Sequence, residues 1–176
     1  MPDSPPSAVT DSFRHAMSQL VTGVVMVTTT IDGRPWGLTV SACCSVSMDP
    51  PLLLVSLGER TASAQAIRAN GTFGVSILGQ RAIDAARFGS AQGQPKFAED
   101  YCTPPEDDAG ASQSPVVASS LCHVDCTLFA EVEAGDHRLF IGEVQHVVVA
   151  DPDDPLAYFS RGYHQITPLT DEEQAS

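Results

Sequence analysis

Residues 121–149 read LCHVDCTLFAEVEAGDHRLFIGEVQHVVV, and this stretch decides the fold class. Apolar and polar side chains alternate over residues 139–149, which is the pattern of a strand with one buried face. Residues 121–133 are also rich in strand-forming side chains. Residues 134–137 join the two stretches, and their central Gly-Asp pair is typical of a tight hairpin turn. The stretch therefore predicts two long antiparallel strands.

The segments around this hairpin predict more strands and a few short helices. Asp32 and Gly33 form a second hairpin signal between stretches rich in Val and Thr. Thr61 is placed to cap a helix, and Asn70 with Gly71 to end it. The predicted strands are residues 21–31, 35–42, 52–57, 73–78, 121–133, 139–149 and 156–160, and the predicted helices are residues 10–20, 61–69 and 80–88. Hairpins with only short helices between them predict a mainly β protein, an antiparallel barrel with a few short helices.

Several stretches lack these periodic patterns. Residues 1–9 are rich in Pro and Ser and are predicted to be a disordered lead-in. Residues 48–51 contain two prolines and cannot lie inside a regular element. Residues 89–115 mix Gly, Gln, Ser, Pro and acidic side chains, so we expect a long, partly mobile loop. Residues 169–176 are expected to form a solvated acidic tail, which leaves residues 10–168 as one domain.

Charge is distributed unevenly along the chain. The 176 residues include 9 basic and 22 acidic side chains, a net charge of −13, and Lys96 is the one lysine. Residues 1–96 hold seven basic and six acidic residues, whereas residues 97–176 hold two basic and 16 acidic ones. Because Lys and Arg are not clustered, binding to nucleic acid or to an anionic membrane surface is not expected. An anionic ligand is expected in the first half of the chain.

The sequence carries no signal for export or for membrane insertion. No apolar run approaches the roughly 18 residues that span a bilayer. The N-terminus lacks the basic and apolar regions of a signal peptide. Five cysteines without regular spacing fit a reducing compartment. We therefore predict a cytoplasmic location.

Common catalytic and metal motifs are absent from the sequence. There is no Gly-x-Gly-x-x-Gly after a predicted strand, no phosphate-binding loop, no Gly-x-Ser-x-Gly and no His-Glu-x-x-His. Cys122-His123-x-x-Cys126 resembles a metal cluster, but on a strand the two cysteines share a face and His123 points to the other one. We therefore expect no metal site, and we expect these cysteines to be small buried residues.

Hydroxyl side chains recur in one stretch. Thr39, Ser41, Ser45 and Ser47 interleave with apolar residues, so an extended chain would present their hydroxyls on one face. The same pattern fits the solvent-facing side of an edge strand. Residues 59–63 place an arginine and two hydroxyls at a predicted helix start, where free N–H groups and the helix dipole favour an anion. That segment also fits a capped helix with an exposed arginine.

Short motifs recur together, in a fixed order, over roughly residues 12–166. They are Phe13-Arg14-x-x-Met17, Thr22-Gly23-Val24, Val27-Thr28, Thr39-Val40-Ser41-Ala42, Ser45-Val46-Ser47-x-Asp49-Pro50-Pro51-Leu52, Arg60-Thr61-x-Ser63, Phe73-x-Val75-x-Ile77-Leu78, Arg87-Phe88, Lys96-Phe97, Gly135-Asp136-His137 and Phe140-x-Gly142-x-Val144. This ordered set resembles the short-chain flavin reductase family, the NAD(P)H:flavin oxidoreductase components of two-component monooxygenases. A set of this length is far more specific than any one motif.

The resemblance implies an FMN-binding split barrel, that is, an antiparallel split β-barrel. It also implies a homodimer with the flavin near the subunit interface. The residues it implies are Thr39, Val40, Ser41 and Ala42 facing the isoalloxazine, Ser45 and Val46 close by, Arg60, Thr61 and Ser63 at the phosphate, Phe97 and Tyr163 near the flavin or its tail, and His137 at the nicotinamide.

The implied activity is that of an NAD(P)H-dependent flavin reductase, which transfers a hydride from NADH or NADPH to FMN or FAD. The reduced flavin would then diffuse to a partner monooxygenase. Nicotinamide and flavin already contain the chemistry of this reaction, so no acid–base set is needed. The scarcity of basic residues disfavours a pocket for the 2′-phosphate of NADPH. Two other functions stay open: a non-catalytic flavin-binding protein, and a flavin or haem oxidoreductase of related split-barrel type.

Overall fold

The protein is built around an antiparallel sheet of seven strands. The structure, a computed structural model, describes residues 8–105, 112–150 and 153–167. The strands are β1 (Thr22–Gly23), β2 (Val25–Ile31), β3 (Arg34–Val40), β4 (Cys43–Met48), β5 (Pro51–Gly58), β6 (Thr72–Leu78), β7 (Cys102–Thr103), β8 (Val116–Val117), β9 (Ser120–Ala134), β10 (His137–Val149), β11 (Leu156–Phe159) and β12 (Gly162–Gln165). The helices are α1 (Ala8–Ser18), α2 (Ala62–Asn70) and α3 (Ile83–Ser90), and a short 3-10 helix at Gln80–Ala82 precedes α3. The large sheet has the order β3-β2-β6-β9-β10-β5-β4, while β1, β11 and β12 form a small sheet and β7 pairs with β8.

The hairpin predicted from residues 121–149 lies inside the large sheet. β9 and β10 pair from His137 to Val149, and Gly135 adopts the left-handed φ of 65° that the turn requires. β9 also pairs with β6, and β10 with β5, so both strands have a neighbour on each side. The predicted mainly β, antiparallel fold class is confirmed.

One predicted strand is divided between the two sheets. The prediction of a single strand over residues 21–31 is wrong at Val24, where the chain passes from β1 to β2. Val24 N donates to Leu156 O at 3.2 Å, and the Val24 carbonyl accepts from Leu78 N at 2.9 Å. Each backbone group of Val24 therefore finds a partner in a different sheet, which fixes the small sheet to the large one.

The two edge strands of the large sheet follow each other in the chain. Only Ser41 and Ala42 separate the end of β3 from the start of β4. Three Cα steps span at most about 11 Å, so the sheet must curl to bring its opposite edges together. The Ala42 carbonyl accepts from Ser56 N at 3.0 Å, which links the connection to β5. The strand predicted over residues 35–42 thus ends at Val40, and the barrel is split at this point.

Two connections differ in detail from the prediction. Met48 ends β4 and Pro51 begins β5, so of residues 48–51 only the central two form the turn. Helix α1 begins at Ala8, two residues before the predicted start, so the last part of the predicted lead-in is helical. Residues 1–7 and 168–176 lie outside the described residues, and the predicted disorder and acidic tail there stay predictions.

Two apolar clusters form the core. The larger one contains Phe73 and Phe140, and Ile67 of α2 packs into it. The smaller one includes Ala85 and Ala86, which bring α3 against the sheet. Both helices are therefore held by burial of one face, while α1 buries none of its side chains.

Helix α2 agrees with the prediction at both ends. Thr61 caps its start by accepting from Ala64 N at 3.2 Å. Gly71 ends it in a left-handed conformation with φ 69°. These local signals fix where the chain enters and leaves the helix, and they place Arg60 directly before its first turn.

The long loop predicted over residues 89–115 is anchored where the structure describes it. Lys96 is buried and donates to Phe88 O at 3.1 Å and to Ala91 O, and burial lowers the pKa of its ammonium. Further along, β7 pairs with β8. The predicted loop therefore contains a short strand and a buried anchor, while its expected mobility stays a prediction. Residues 106–111 lie outside the described part of the chain.

A buried polar cluster, called here the Asp125 cluster, consists of Ser76, Ser112, Ser114, His123 and Asp125. Asp125 accepts from Ser112 Oγ at 2.7 Å, from Ser114 N at 2.9 Å and from Ser114 Oγ. His123 Nε2 lies 3.3 Å from Asp125, and His123 Nδ1 lies 2.7 Å from Ser76 Oγ. Burial by itself raises the pKa of Asp125, but hydrogen bonds from His123, Ser114 and Ser112 hold it well below its usual range. The cluster ties the segment before β8 to the middle of β9.

The described ranges were searched for membrane-spanning helices and for metal-binding groups. No helix in them is long and apolar enough to cross a membrane. Their His, Cys, Asp and Glu side chains form no group of three that could hold a metal ion. Cys126 is buried, as expected, and Cys122 is half-buried.

Candidate active site

A cavity of about 540 Å³ opens beside the split between β3 and β4. This volume lies in the range of small-molecule binding sites. Six of the predicted residues line the cavity: Thr39, Val40, Ser41, Ala42, His137 and Tyr163. They come from the end of β3, the connection to β4, the start of β10 and β12. The fold thus brings together residues that are about 120 positions apart in the chain.

Thr39 carries a hydroxyl that the protein leaves unsatisfied. Its Oγ1 is buried and has no hydrogen-bond partner among the residues that the structure describes. An unpaired buried hydroxyl costs about 1–3 kcal/mol. The side chain is also tightly confined, because a Cβ built on Gly89 of α3 would overlap its Oγ1. A polar ligand group in the cavity would provide the missing partner.

His137 is held at the start of β10, opposite Gly58 of β5. Its Nδ1 lies 2.7 Å from Asp136 Oδ1, and this hydrogen bond lowers the pKa of the Asp136 carboxyl. Because Nδ1 faces a carboxylate, it carries the proton when the ring is neutral, and Nε2 is then an acceptor. The side chain is 49% exposed, so a ligand can reach it.

Arg138 ties the start of β10 to the end of β5. It donates to Glu59 Oε1 at 2.8 Å and lies 3.3 Å from Glu133 and 3.6 Å from Glu131. The hydrogen bond to Glu59 raises the pKa of the Arg138 guanidinium and lowers the pKa of the Glu59 carboxyl. This network braces the backbone that carries His137.

Two tyrosines form an aromatic wall of the cavity. The rings of Tyr158 and Tyr163 pack edge to face with centroids 5.5 Å apart. The Tyr163 hydroxyl lies 3.1 Å from both Ala86 O and Ser90 Oγ of α3. The wall is therefore attached to the same helix that confines Thr39.

The predicted phosphate residues do not line the cavity. Thr61 is engaged in capping α2. Ser63 is buried, and its Oγ accepts from Trp36 Nε1 at 3.1 Å, so the described conformation does not present this hydroxyl to a ligand. Arg60 is exposed and lies close enough to Asp136 to contribute to lowering the pKa of that carboxyl, after the larger effect of His137. Of the three, Arg60 alone has an exposed side chain.

Three further predicted residues also lie outside the cavity lining. Phe97 packs edge-on against Trp36 with ring centroids 5.0 Å apart, and the Arg34 guanidinium lies 3.7 Å from its ring centre. Phe97 is thus used in packing rather than at the cavity. Ser45 and Val46 are exposed on β4, one strand beyond the split.

Comparison with known proteins shows which family this chain belongs to. The model of the family described as flavin reductase like domain matches residues 17–167. The chain belongs to this family. It is a flavin reductase, and the predicted family, split-barrel fold and enzyme class are confirmed.

Individual relatives of this flavin reductase are similar over most of their length. The flavin reductase (NADH) of Kitasatospora aureofaciens is 38% identical over 160 residues, which cover 87% of this chain and 80% of the relative. The reductase subunit HsaB of a flavin-dependent monooxygenase of Mycobacterium tuberculosis is 34% identical over 160 residues, with coverages of 89% and 82%. The solved NADH:FAD oxidoreductase of Streptomyces globisporus, in complex with NAD and FAD fragments, is 26% identical with a TM-score of 0.82, covering 96% of this chain and 100% of that one.

A flavin fits the residues that line the cavity of this flavin reductase. The polar edge of an isoalloxazine presents both donors and acceptors, and a hydroxyl can form a hydrogen bond with either. Thr39 offers such a hydroxyl without a partner, and Ser41 and Ser56 add two more at the split. Val24 and Val40 supply apolar surface for the ring faces.

Sequence reasoning missed five residues that line the cavity of the flavin reductase. They are Val24, Ser56, Ser90, Tyr158 and Arg161. One signal for Tyr158 was present, because it faces Tyr163 directly across the β11–β12 hairpin. The others carry no local signal, since their position depends on how the sheets and α3 meet.

Proposed function

We propose that this cavity is where the flavin reductase transfers a hydride from NADH to a flavin, FMN or FAD. In this proposal the isoalloxazine lies against residues 39–42 and the nicotinamide beside His137. The observation that carries it is the buried, unpartnered Oγ1 of Thr39 in a cavity that His137 also lines. When bound, the nicotinamide and the flavin themselves supply the hydride transfer.

The protein's contribution is to hold the two rings in contact and to limit the access of water to the cavity. Thr39, Ser41 and Ser56 can donate to or accept from the polar edge of the flavin. Tyr158 and Tyr163 close one side with apolar ring surface. Such positioning lowers the barrier because the reacting atoms no longer have to find each other in solution.

His137 is proposed to position the nicotinamide amide. Its Nε2 accepts from the amide N–H, while Asp136 holds the proton on Nδ1. Since the side chain contacts no reacting atom in this arrangement, its effect should fall on binding of the nicotinamide.

Replacing His137 by alanine is expected to raise the KM for NADH about tenfold and to change the KM for flavin much less. Steady-state kinetics with each substrate varied in turn measures both constants. Gln145, which is exposed on the same strand, offers a control substitution to alanine with no expected change in either KM. Equal effects on the two substrates would remove His137 from the nicotinamide site.

The flavin phosphate is proposed to lie near Arg60 and the first turn of α2. The N–H groups at a helix start favour an anion, and Arg60 adds a full positive charge directly before them. Ser63, named with these residues from the sequence, is left out of this proposal because its Oγ is buried and accepts from Trp36 Nε1.

Substituting Arg60 with alanine is expected to weaken FMN several-fold while leaving riboflavin, which has no phosphate, nearly unchanged. Fluorescence titration of both flavins compares the two affinities directly. Arg87→Ala, at an exposed arginine of α3, is the matched control. If FMN and riboflavin weaken alike, the phosphate lies elsewhere.

The decisive experiment for the reductase activity mixes the purified protein with NADH and excess FMN and follows absorbance at 340 nm. Rapid loss of NADH is expected. A bound flavin that NADH does not bleach would instead indicate the flavin carrier, and a Soret band would indicate the haem protein. Comparing NADPH with NADH in the same assay identifies the donor.

The relatives also support a partner for the reaction. One of them is named as the reductase subunit of a flavin-dependent monooxygenase, so we propose that reduced flavin diffuses from this protein to a monooxygenase component. A homodimer is proposed as well, because large apolar side chains remain exposed on three strands of the sheet. They are Val46, Met48, Phe129, Val132 and Val147.

A further inference from the structure

Lys96 is a buried cation that the proposed reaction does not use. It is the one lysine of the chain, and burial lowers the pKa of its ammonium. Within the described residues the ammonium pairs with no carboxylate, although the chain carries 22 acidic side chains. A buried charge without a counter-ion costs free energy unless other polar groups replace its water. The partners of Lys96 are therefore neutral groups.

These partners are carbonyl groups at the end of α3. Lys96 Nζ donates to Phe88 O at 3.1 Å and to the carbonyl of Ala91, the residue directly after the helix. Ala91 is extended, with φ −61° and ψ 137°, so α3 does not end in the left-handed residue that commonly caps a C-terminus. The last carbonyls of a helix lack partners within it and carry a partial negative charge. Lys96 supplies both the donors and the positive charge that this end requires.

The backbone of Lys96 is attached to β3, an edge strand of the large sheet. The Lys96 carbonyl accepts from Gly37 N at 3.0 Å, and Ala98 N donates to Pro35 O at 2.9 Å. The chain after α3 therefore runs along the outer edge of β3. Because its backbone is bonded to β3 and its side chain to α3, Lys96 links the strand to the end of the helix.

β3 and α3 together enclose Thr39. This residue lies near the end of β3, and Gly89 of α3 leaves room for its Oγ1 only because glycine has no Cβ. The same helix holds Tyr163, whose hydroxyl lies 3.1 Å from both Ala86 O and Ser90 Oγ. The separation of β3 and α3 therefore sets the positions of two cavity walls at once.

We propose that Lys96 is a positioning residue for flavin binding. Its ammonium holds the end of α3 at a fixed distance from β3, so that Thr39 and Tyr163 contact the isoalloxazine together. Lys96 does not line the cavity, and it acts on the flavin only through these two elements. The inference rests on the proposed function for the place of the isoalloxazine.

Lys96→Met keeps the approximate length of the side chain and removes its charge and donors. It is expected to weaken riboflavin and FMN alike by about tenfold, the size of one charge-assisted hydrogen bond, because both flavins contain the isoalloxazine. The KM for NADH should change much less, since His137 lies on β10 and outside this link. Fluorescence titration of both flavins and steady-state kinetics measure these effects. A loss confined to FMN, or an equal rise in the KM for NADH, would overturn the proposal.

Arg34→Met is the matched control for loosening of the same loop. Arg34 pairs with Glu99, and its guanidinium lies 3.7 Å from the ring centre of Phe97, so it holds this loop to the start of β3. Flavin affinity should stay unchanged in this variant, because the link to α3 is intact. Lys96→Arg, which keeps a charge and donors, should recover part of the affinity that Lys96→Met loses. An equal loss in Arg34→Met, or no recovery in Lys96→Arg, would show that the bonds to α3 are not what the flavin requires.

The intact protein offers a test without any substitution. Since Lys96 is the one lysine, incorporation of isotope-labelled lysine marks a single ammonium for nuclear magnetic resonance. Linkage is reciprocal, so if the Lys96 contacts favour flavin binding about tenfold, bound flavin favours those contacts by the same factor. Saturating riboflavin is therefore expected to slow exchange of the Nζ protons with water about tenfold, and an unchanged rate contradicts the proposal. The reductase proposal fails separately: NADH would then stay unoxidised although riboflavin still slows this exchange.

Discussion

A Gly89→Ala variant should lose most of its flavin reductase activity. Gly89 lies in α3 with its Cα against β3, and a Cβ there would overlap Thr39 Oγ1, lie 2.8 Å from Thr39 N and come within 2.7 Å of Met26 Cε. Alanine gains about 1 kcal/mol of helix propensity over glycine, but overpacking of this kind costs about 1–3 kcal/mol. The helix can relieve the overlap only by moving away from Thr39 and taking the attached Tyr163 with it.

The expected loss in kcat/KM for flavin is on the order of 100-fold, because a displacement of about 1 Å at positioning residues has this effect. Flavin titration and circular dichroism on the same sample separate loss of the site from loss of the fold. Gly23→Ala is the matched control, since a Cβ at Gly23 meets nothing within 4 Å. Full activity and flavin affinity in Gly89→Ala would show that the contact between α3 and β3 does not shape the cavity.

An Asp125→Asn variant is expected to be less stable by about 3–5 kcal/mol at pH 7. The Asp125 cluster contains several donors aimed at one buried carboxylate, and an amide can accept at only one of its two atoms. Removing one member of a buried charged network leaves its partners without compensation. Chemical denaturation followed by tryptophan fluorescence measures the difference, and Trp36 is the single tryptophan.

The loss of stability in Asp125→Asn should depend on pH. Since the folded-state pKa of Asp125 is lowered, its stabilising effect is present above the unfolded pKa of about 3.9 and is lost as the pH falls through the folded value. The stability difference between the wild type and Asp125→Asn should therefore shrink below about pH 4. Asp84→Asn, at an exposed carboxyl of α3, is expected to have little effect at either pH. A constant difference across this range would contradict the ionised, hydrogen-bonded Asp125.

Local sequence signals were enough to predict a hairpin and a helix, whose hydrogen bonds join residues close together in the chain. The β9–β10 hairpin follows from the Gly-Asp turn, and α2 follows from a cap at Thr61 and a left-handed Gly71. The division of the first strand at Val24 could not be predicted, because it depends on Leu156 and Leu78 in other strands. Alternation in a single segment does not tell which sheet each backbone group will join.

The candidate site likewise could be predicted only in part, because some of its contacts depend on distant residues. The hydroxyl pattern and the family resemblance pointed to residues 39–42, to His137 and to Tyr163, all of which line the cavity. Ser63 and Phe97 differ because Trp36 contacts both of them. A sequence gives the polar and aromatic groups available, whereas the packing of the folded chain decides which of them meet each other.

Burial of the single lysine has a practical consequence for work on this enzyme. Lys96 is 7% exposed, and its ammonium donates hydrogen bonds to carbonyls at the end of α3. Reagents that couple dyes, resins or cross-linkers to lysine amines will find no accessible lysine on the folded protein. The thiol of Cys44 is exposed but lies only two residues beyond Ala42 of the active-site cavity, so a label attached there would report on the split between β3 and β4.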